Sequence, residues 1–297
     1  MSIPESNRFD RKLGNKPFLV TMEVNPPKGT DLSEIISAVE RVKGLVDAIN
    51  VTDGSGAIMR ACSLAVANAV LDAGVDPILQ MTCRDRNRLA LQADLLGASI
   101  LGIRSVLLLT GDDPKAGDHP EAKPVFDINS ATLMQVAKGL TQGKDMAGKE
   151  LAGAPHFCIG AAADPGAKDL EVEMQKFKAK VDGGAAFFQT QAVFDPQALR
   201  AFMARAKSFS RPVLAGILLV KSAKMARYMN EHVWGIRVPE AMIERFERAG
   251  DKRAECVTVT TELIRAIRDV ADGIHLYALG WEDLVPEILK RAELVTV

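Results

Sequence analysis

Short apolar stretches recur along the chain at 18–24, 47–53, 76–82, 105–111, 157–162, 187–191, 213–220 and 273–279, with segments of helical spacing between them. Most are continuous runs such as "SVLLLTG" and "VLAGILLV", the pattern of strands covered by helices on both faces. The intervening segments carry helix end signals. In the first, Asp31 is placed to cap with Glu34 three residues on, and Leu32, Ile35, Ile36, Val39 and Val42 form one apolar stripe before Gly44. The second helix is expected over 58–73, closed by Gly74, and the third over 86–101, closed by Gly102.

Eight strand and helix units with short connections predict an α/β fold, a parallel (β/α)8 barrel of the TIM type, for which about 250 residues is usual. A doubly wound open sheet has the same alternation and is the rival arrangement. No repeat, low-complexity tract or linker divides the chain, so residues 1–297 are expected to form a single catalytic domain with a polar N-terminal extension over 1–16. Two places break the rhythm. The polar loop "GDDPKAGDHPEAKPVFDIN" after 110 is too long for a mere connection and suits substrate contact or a lid. The 221–272 gap is also long and holds an extra helix after Pro239.

Composition removes several function classes. With 47% hydrophobic and 25% charged residues and a formal net charge of −1, there is no basic excess to track a nucleic acid backbone. Cys62, Cys83, Cys158 and Cys256 lie far apart and read as reduced thiols, while His119, His156, His232 and His275 form no metal-binding pattern. The polar start of the chain and the lack of a long apolar run predict a cytoplasmic protein without a membrane span.

Barrels of this kind carry their chemistry at the C-terminal strand ends. Those ends offer Glu23; Thr52 and Asp53; Gln80 and Thr82; Thr110, Gly111 and Asp112; Asp164; Gln189 and Gln191; Lys221; and Tyr277, a polar ring closing one mouth of an otherwise apolar barrel. Asp53 and Asp112 have a second reading as helix caps or turn ligands, Thr52 and Thr82 as β-branched strand residues, and Gln191 as a partner for buried backbone. Glu23 stands out, lying within the apolar "FLVTMEVNPP" just before a rigid Pro26-Pro27 turn. A carboxyl in that setting retains its proton more readily and suits a general acid; the competing reading pairs it with a lysine or arginine. Gly111 lets a ligand approach the backbone, but neither "LTGDDP" nor "TDGSGA" is a P-loop or a dinucleotide fingerprint.

The segments "TMEVNPP", "INVTDGSG", "TCRDRN", "LLLTGDDP", "KVDGGAAFFQTQAVFD" and "GILLV" followed by "RVPEAM" resemble, in order and spacing, those of the 5,10-methylenetetrahydrofolate reductases, from about residue 18 to 277. The resemblance implies a barrel that interconverts 5,10-methylene- and 5-methyl-tetrahydrofolate, with NAD(P)H as reductant and FAD as the usual carrier. It implies that Glu23 protonates the folate nitrogen and opens the five-membered ring to an iminium that accepts hydride. By the same resemblance Asp112 lies beside flavin and pterin, Gln191 hydrogen-bonds the pterin, Thr52 contacts nicotinamide, and Lys180 approaches the flavin phosphate or ribityl chain.

Departures from that pattern cluster on the flavin side. Asp53 stands where an aromatic residue is common, Gln80 and Asp164 where histidines are, Thr110 and Ala179 where arginines are, and a tyrosine after the fifth strand is missing. Fewer cations and more carboxylates weaken the grip on a diphosphate. FAD held differently, a smaller flavin such as FMN, and direct hydride transfer from nicotinamide to folate all stay open. A pterin-dependent methyltransferase and a non-catalytic folate-binding subunit are the rival functions, and a homo-oligomer is compatible with the sequence.

Overall fold

The computed structural model describes residues 3–233 and 235–295. Helices and strands follow in the order α1 (Phe9–Lys12), β1 (Leu19–Val24), α2 (Ser33–Val42), β2 (Ala48–Val51), α3 (Ser63–Asp72), β3 (Pro77–Thr82), α4 (Arg88–Ile100), β4 (Ser105–Leu109), α5 (Ser130–Thr141), β5 (Cys158–Ala163), α6 (Leu170–Asp182), β6 (Phe187–Ala192), α7 (Pro196–Ala206), β7 (Val213–Leu218), α8 (Ala223–His232), α9 (Glu240–Arg248), α10 (Lys252–Ile267), β8 (Gly273–Tyr277) and α11 (Val285–Arg291). The strands pair in parallel in sequence order, and β8 returns to pair with β1, which closes the barrel and rules out the open sheet.

All eight expected strands form, and their apolar runs are buried because helices cover the outside. The helix starts differ from expectation. α2 begins at Ser33, and Asp31 holds the Ser33 amide from outside the helix at 2.9 Å rather than capping it. α3 begins at Ser63, because the chain leaves a short 3-10 turn at Ser55–Ala57 and is extended at Ile58 and Cys62. The long gap after β7 holds α8 and α10 as well as the expected α9.

The N-terminal extension stoppers the N-terminal end of the barrel. Phe9 is fully buried, sits edge-on to Phe187 at 5.0 Å, and packs with Leu19, Ala48, Ile78, Leu107, Cys158 and Leu214. Asp76 fixes this plug, accepting from Arg8 Nη1 at 2.7 Å and from the Phe9 amide at 2.7 Å. Phe187 fills the interior so fully that a Cβ on Gly160 would lie 2.3 Å from its ring.

Above this apolar floor the interior turns polar, which corrects the expectation of an apolar barrel beneath a polar rim. Thr21, Asn50, Gln189 and His275 come from β1, β2, β6 and β8 and are all buried. Asn50 Nδ2 donates to Gln189 Oε1 at 2.7 Å, and Gln189 Nε2 donates back to Asn50 Oδ1 at 3.0 Å. Strands β2 and β6 are not neighbours in the sheet, so these bonds cross the barrel interior. Burying so many polar groups is tolerated because each finds a partner.

Candidate active site

Glu23 lies one residue from the end of β1, opposite Asn50 of β2 in register, and is only 7% exposed. Among the described residues no lysine or arginine is paired with its carboxylate; the basic group in range is the His275 imidazole, with Nε2 3.6 Å from Oε2. Tyr277, two residues beyond His275 on β8, lies edge-on to that ring at 4.6 Å and donates its hydroxyl to the Thr190 carbonyl at 2.8 Å. Burial first, and then the negative charge of Glu23, push the ionisation of Tyr277 far up, so it stays a neutral phenol.

A cavity of about 430 Å³ opens at the same mouth, walled by Asp53, Gln80, Thr110, Gly111, Asp112, Lys180 and Gln191 together with Thr82, Ser130 and Met134. Its volume suits a pterin or nicotinamide ring. Asp53, Gln80, Thr82, Thr110, Gly111, Asp112, Lys180 and Gln191, all singled out in the sequence, therefore share one wall. Glu23, Thr52, Asp164, Gln189, Lys221 and Tyr277 are not part of it. The wall runs from the end of β2, the neighbour of β1, round to Gln191 of β6, so a ligand touching both Glu23 and Gln191 crosses the mouth.

Local structure explains each wall position. Gly111 has φ +96°, and a Cβ there would approach Thr82 Cβ at 2.9 Å, so the turn after β4 requires glycine. That turn sets Asp112, whose Oδ2 accepts the Gly56 amide at 2.9 Å and ties the 111–129 loop to the turn after β2. Asp118 adds a second tie, accepting from the Met59 amide at 2.9 Å and pairing with Lys28. Thr110 donates to Ser130 at the start of α5 at 3.1 Å.

Several candidates are occupied by internal contacts. The Asp53 carboxylate accepts from the Thr82 amide at 2.7 Å and the Thr82 hydroxyl at 2.9 Å, from Ser63 at 3.3 Å, and from Arg86. Thr52 donates its hydroxyl to Asn25 at 2.8 Å, which fastens the end of β2 to the turn after β1. Lys180 donates to the Ala162 carbonyl at 2.7 Å, and burial pulls its pKa below the usual lysine value. Asp164 accepts the Gly166 amide at 3.0 Å, and burial raises its pKa above the usual carboxylate value. Gln80 and Gln191 line the cavity, and among the described residues their side chains have no hydrogen-bond partner. Sequence reasoning missed Asn50, Thr21 and His275. The signal was a period of two, because each lies two residues before a rim residue it did select.

The geometry defines the class first: a closed (β/α)8 barrel with a buried glutamate near one mouth, at which a polar cavity opens. Solved structures agree on the fold. Oxaloacetate acetylhydrolase superposes with a TM-score of 0.54 at 12% identity, covering 97% of this chain and 86% of its own. A 2,3-dimethylmalate lyase gives 0.50 at 13%, covering 94% and 84%. At such identities the likeness shows the fold alone. The chain belongs to the methylenetetrahydrofolate reductase family, whose profile matches residues 8–293. It is 26% identical to methylenetetrahydrofolate reductase 1 of Schizosaccharomyces pombe, over 92% of this chain and 45% of that protein. It is 24% identical to the 5,10-methylenetetrahydrofolate reductase of Escherichia coli K12, over 88% of this chain and 86% of that one. A probable methylenetetrahydrofolate reductase (NADPH) of Caenorhabditis elegans is 24% identical over 95% of this chain and 43% of its own length. The chain thus spans less than half of the fission yeast and nematode relatives. Among the described residues no helix is long and apolar enough to cross a membrane, and no cluster of metal-ligating side chains occurs.

Proposed function

We propose that the chain acts as one catalytic domain of a methylenetetrahydrofolate reductase, reducing 5,10-methylene- to 5-methyl-tetrahydrofolate with hydride supplied by NAD(P)H. The observation that carries this reading is the Glu23 carboxyl, buried at the barrel mouth without a lysine or arginine partner among the described residues. A group so placed can deliver a proton to a substrate. Glu23 gives its proton to the folate nitrogen as the bond from that nitrogen to the methylene carbon breaks. The bond's electron pair goes to the nitrogen, and the ring opens to an iminium. Hydride from the reduced nicotinamide then adds to the methylene carbon, giving the methyl group and oxidised nicotinamide. Gln191 offers an amide to orient the pterin edge, and Asp112 supplies negative charge beside the developing cation.

The family implies FAD, but the wall does not fit its diphosphate. Lys180 is spent on the Ala162 carbonyl, Arg86 on Asp53 and Asp94, and Arg84 on Asp85 and the Gly54 carbonyl. Asp53 and Asp112 line the same cavity, so a diphosphate would meet carboxylates where it needs free donors. Direct transfer is therefore the favoured route, with nicotinamide and folate bound together.

The test is steady-state oxidation of NADH or NADPH by the purified protein, with methylene-tetrahydrofolate varied and no flavin added. Intersecting double-reciprocal lines and a colourless protein are expected. Parallel lines with a yellow flavin spectrum would refute direct transfer, and no folate-dependent oxidation would refute the reductase assignment.

A further inference from the structure

We propose that His275 is a positioning residue for Glu23: its Nε2–H is aimed at the carboxylate and holds the anion left when the acid gives up its proton. The role in turnover rests on the reductase reading above; the contact rests on geometry alone. His275 Nδ1 lies 2.9 Å from the Thr21 hydroxyl and 3.2 Å from Gln189 Nε2. Gln189 also pairs reciprocally with Asn50, and its amide nitrogen lies on the side of the ring. With the Thr21 hydroxyl donating to it, Nδ1 accepts and the single ring proton sits on the other nitrogen, which is the tautomer this proposal requires. That nitrogen, Nε2, is the one 3.6 Å from Glu23 Oε2.

At 3.6 Å the contact is longer than a hydrogen bond. Apo catalytic contacts commonly tighten only as charge develops. When the Glu23 O–H bond breaks and an N–H bond forms on the folate, the electron pair stays on the carboxylate and draws the Nε2–H inward. The interaction is then stronger in the transition state than before it, which is the condition for raising turnover. The titratable groups facing this pair are few. Tyr277 on β8 is held neutral by burial and donates to the Thr190 carbonyl. From β2 the facing residue is Asn50, an uncharged amide.

Two experiments decide it. Nitrogen-15 NMR of histidine-labelled protein without ligands, with His275→Asn identifying the signal, is expected to show the ring neutral and protonated at Nε2 at neutral pH. A ring protonated at Nδ1, or at both nitrogens, overturns the proposal. In turnover, His275→Asn removes the donor facing Glu23, while His275→Gln replaces it with an amide of similar reach. The asparagine variant is expected to lose about 10- to 100-fold in kcat with little change in KM, and its basic pH limb to move upward. The glutamine variant recovers most of the loss. Equal losses in both variants, or a change in KM alone, overturn the role. A protein inactive toward methylene-folate but carrying the expected tautomer overturns the reductase reading and supports the contact.

Discussion

The polar interior can be weighed by a double-mutant cycle on Asn50 and Gln189. Both side chains are almost fully buried, at 0% and 2% exposure, and among the described residues Asn50 has no side-chain partner other than Gln189. Gln189→Leu strands both the donor and the acceptor of Asn50. At about 1–3 kcal/mol for each stranded buried group, it costs roughly 2–6 kcal/mol. Asn50→Leu strands mainly Gln189 Oε1, since Nε2 keeps Thr21 and His275, and so costs about 1–3 kcal/mol. In the double variant neither amide remains to be stranded, and the loss is expected to fall below the sum of the singles by about 3 kcal/mol or more. Urea denaturation followed by two spectroscopic probes, with coincident transitions as the condition for a free energy, measures all four corners. Losses that add to within about 0.5 kcal/mol would refute the coupling.

Three further outcomes are expected. Glu23→Gln lowers kcat by about 10²- to 10⁴-fold while folate binding, measured by calorimetry, is retained; a variant with near-normal turnover would remove Glu23 as the acid. Gly111→Ala forces a side chain onto a backbone at φ +96° and against Thr82, lowering stability by about 1–2 kcal/mol, read as a fall in thermal midpoint; an unchanged midpoint would refute the strain. Arg88 grips Asp127 through its guanidinium and amide and lowers the pKa of that carboxyl from 3.8 to about 2. Because the folded pKa is the lower one, the tie contributes fully above 3.8 and is lost as pH falls through 2. Hydrogen exchange at the Arg88 amide is expected to lose protection over that window, and flat protection would refute the tie.

The strands were legible because their interior and helix-covered faces are both buried, which leaves mainly apolar runs in the sequence, interrupted where the interior is polar. Helix starts were less so, since Ile58 and Cys62 look helical by composition while the glycines at 54 and 56, both with positive φ, turn the chain into an extended path. At the rim, the strand-end rule selected residues that do share one cavity wall. It could not say whose side chains are already spent. Asp53 reads as a ligand group in sequence, yet its carboxylate serves Thr82, Ser63 and Arg86, which come from three other segments. The period of two that links His275 to Tyr277 marks its side of the strand and not its partners. Its partners Thr21, Gln189 and Glu23 lie on strands far apart in sequence and meet only when the barrel closes.

The two halves of the mouth treat charge in opposite ways, and the proposed reaction needs that contrast. Around the cavity wall, cations are matched to carboxylates or carbonyls, as in Arg86 with Asp53 and Lys180 with Ala162. At Glu23 no such cation is present among the described residues, and a lysine or arginine in contact would hold the carboxyl ionised and deprive it of the proton it must give. Water cannot take over the task of holding the resulting anion in so buried a place. What remains is the donor proposed above, the His275 imidazole, 3.6 Å away before any ligand binds. Its second nitrogen lies against the Thr21 hydroxyl and the Gln189 amide, polar side chains deep in the barrel whose burial is tolerated because they satisfy one another.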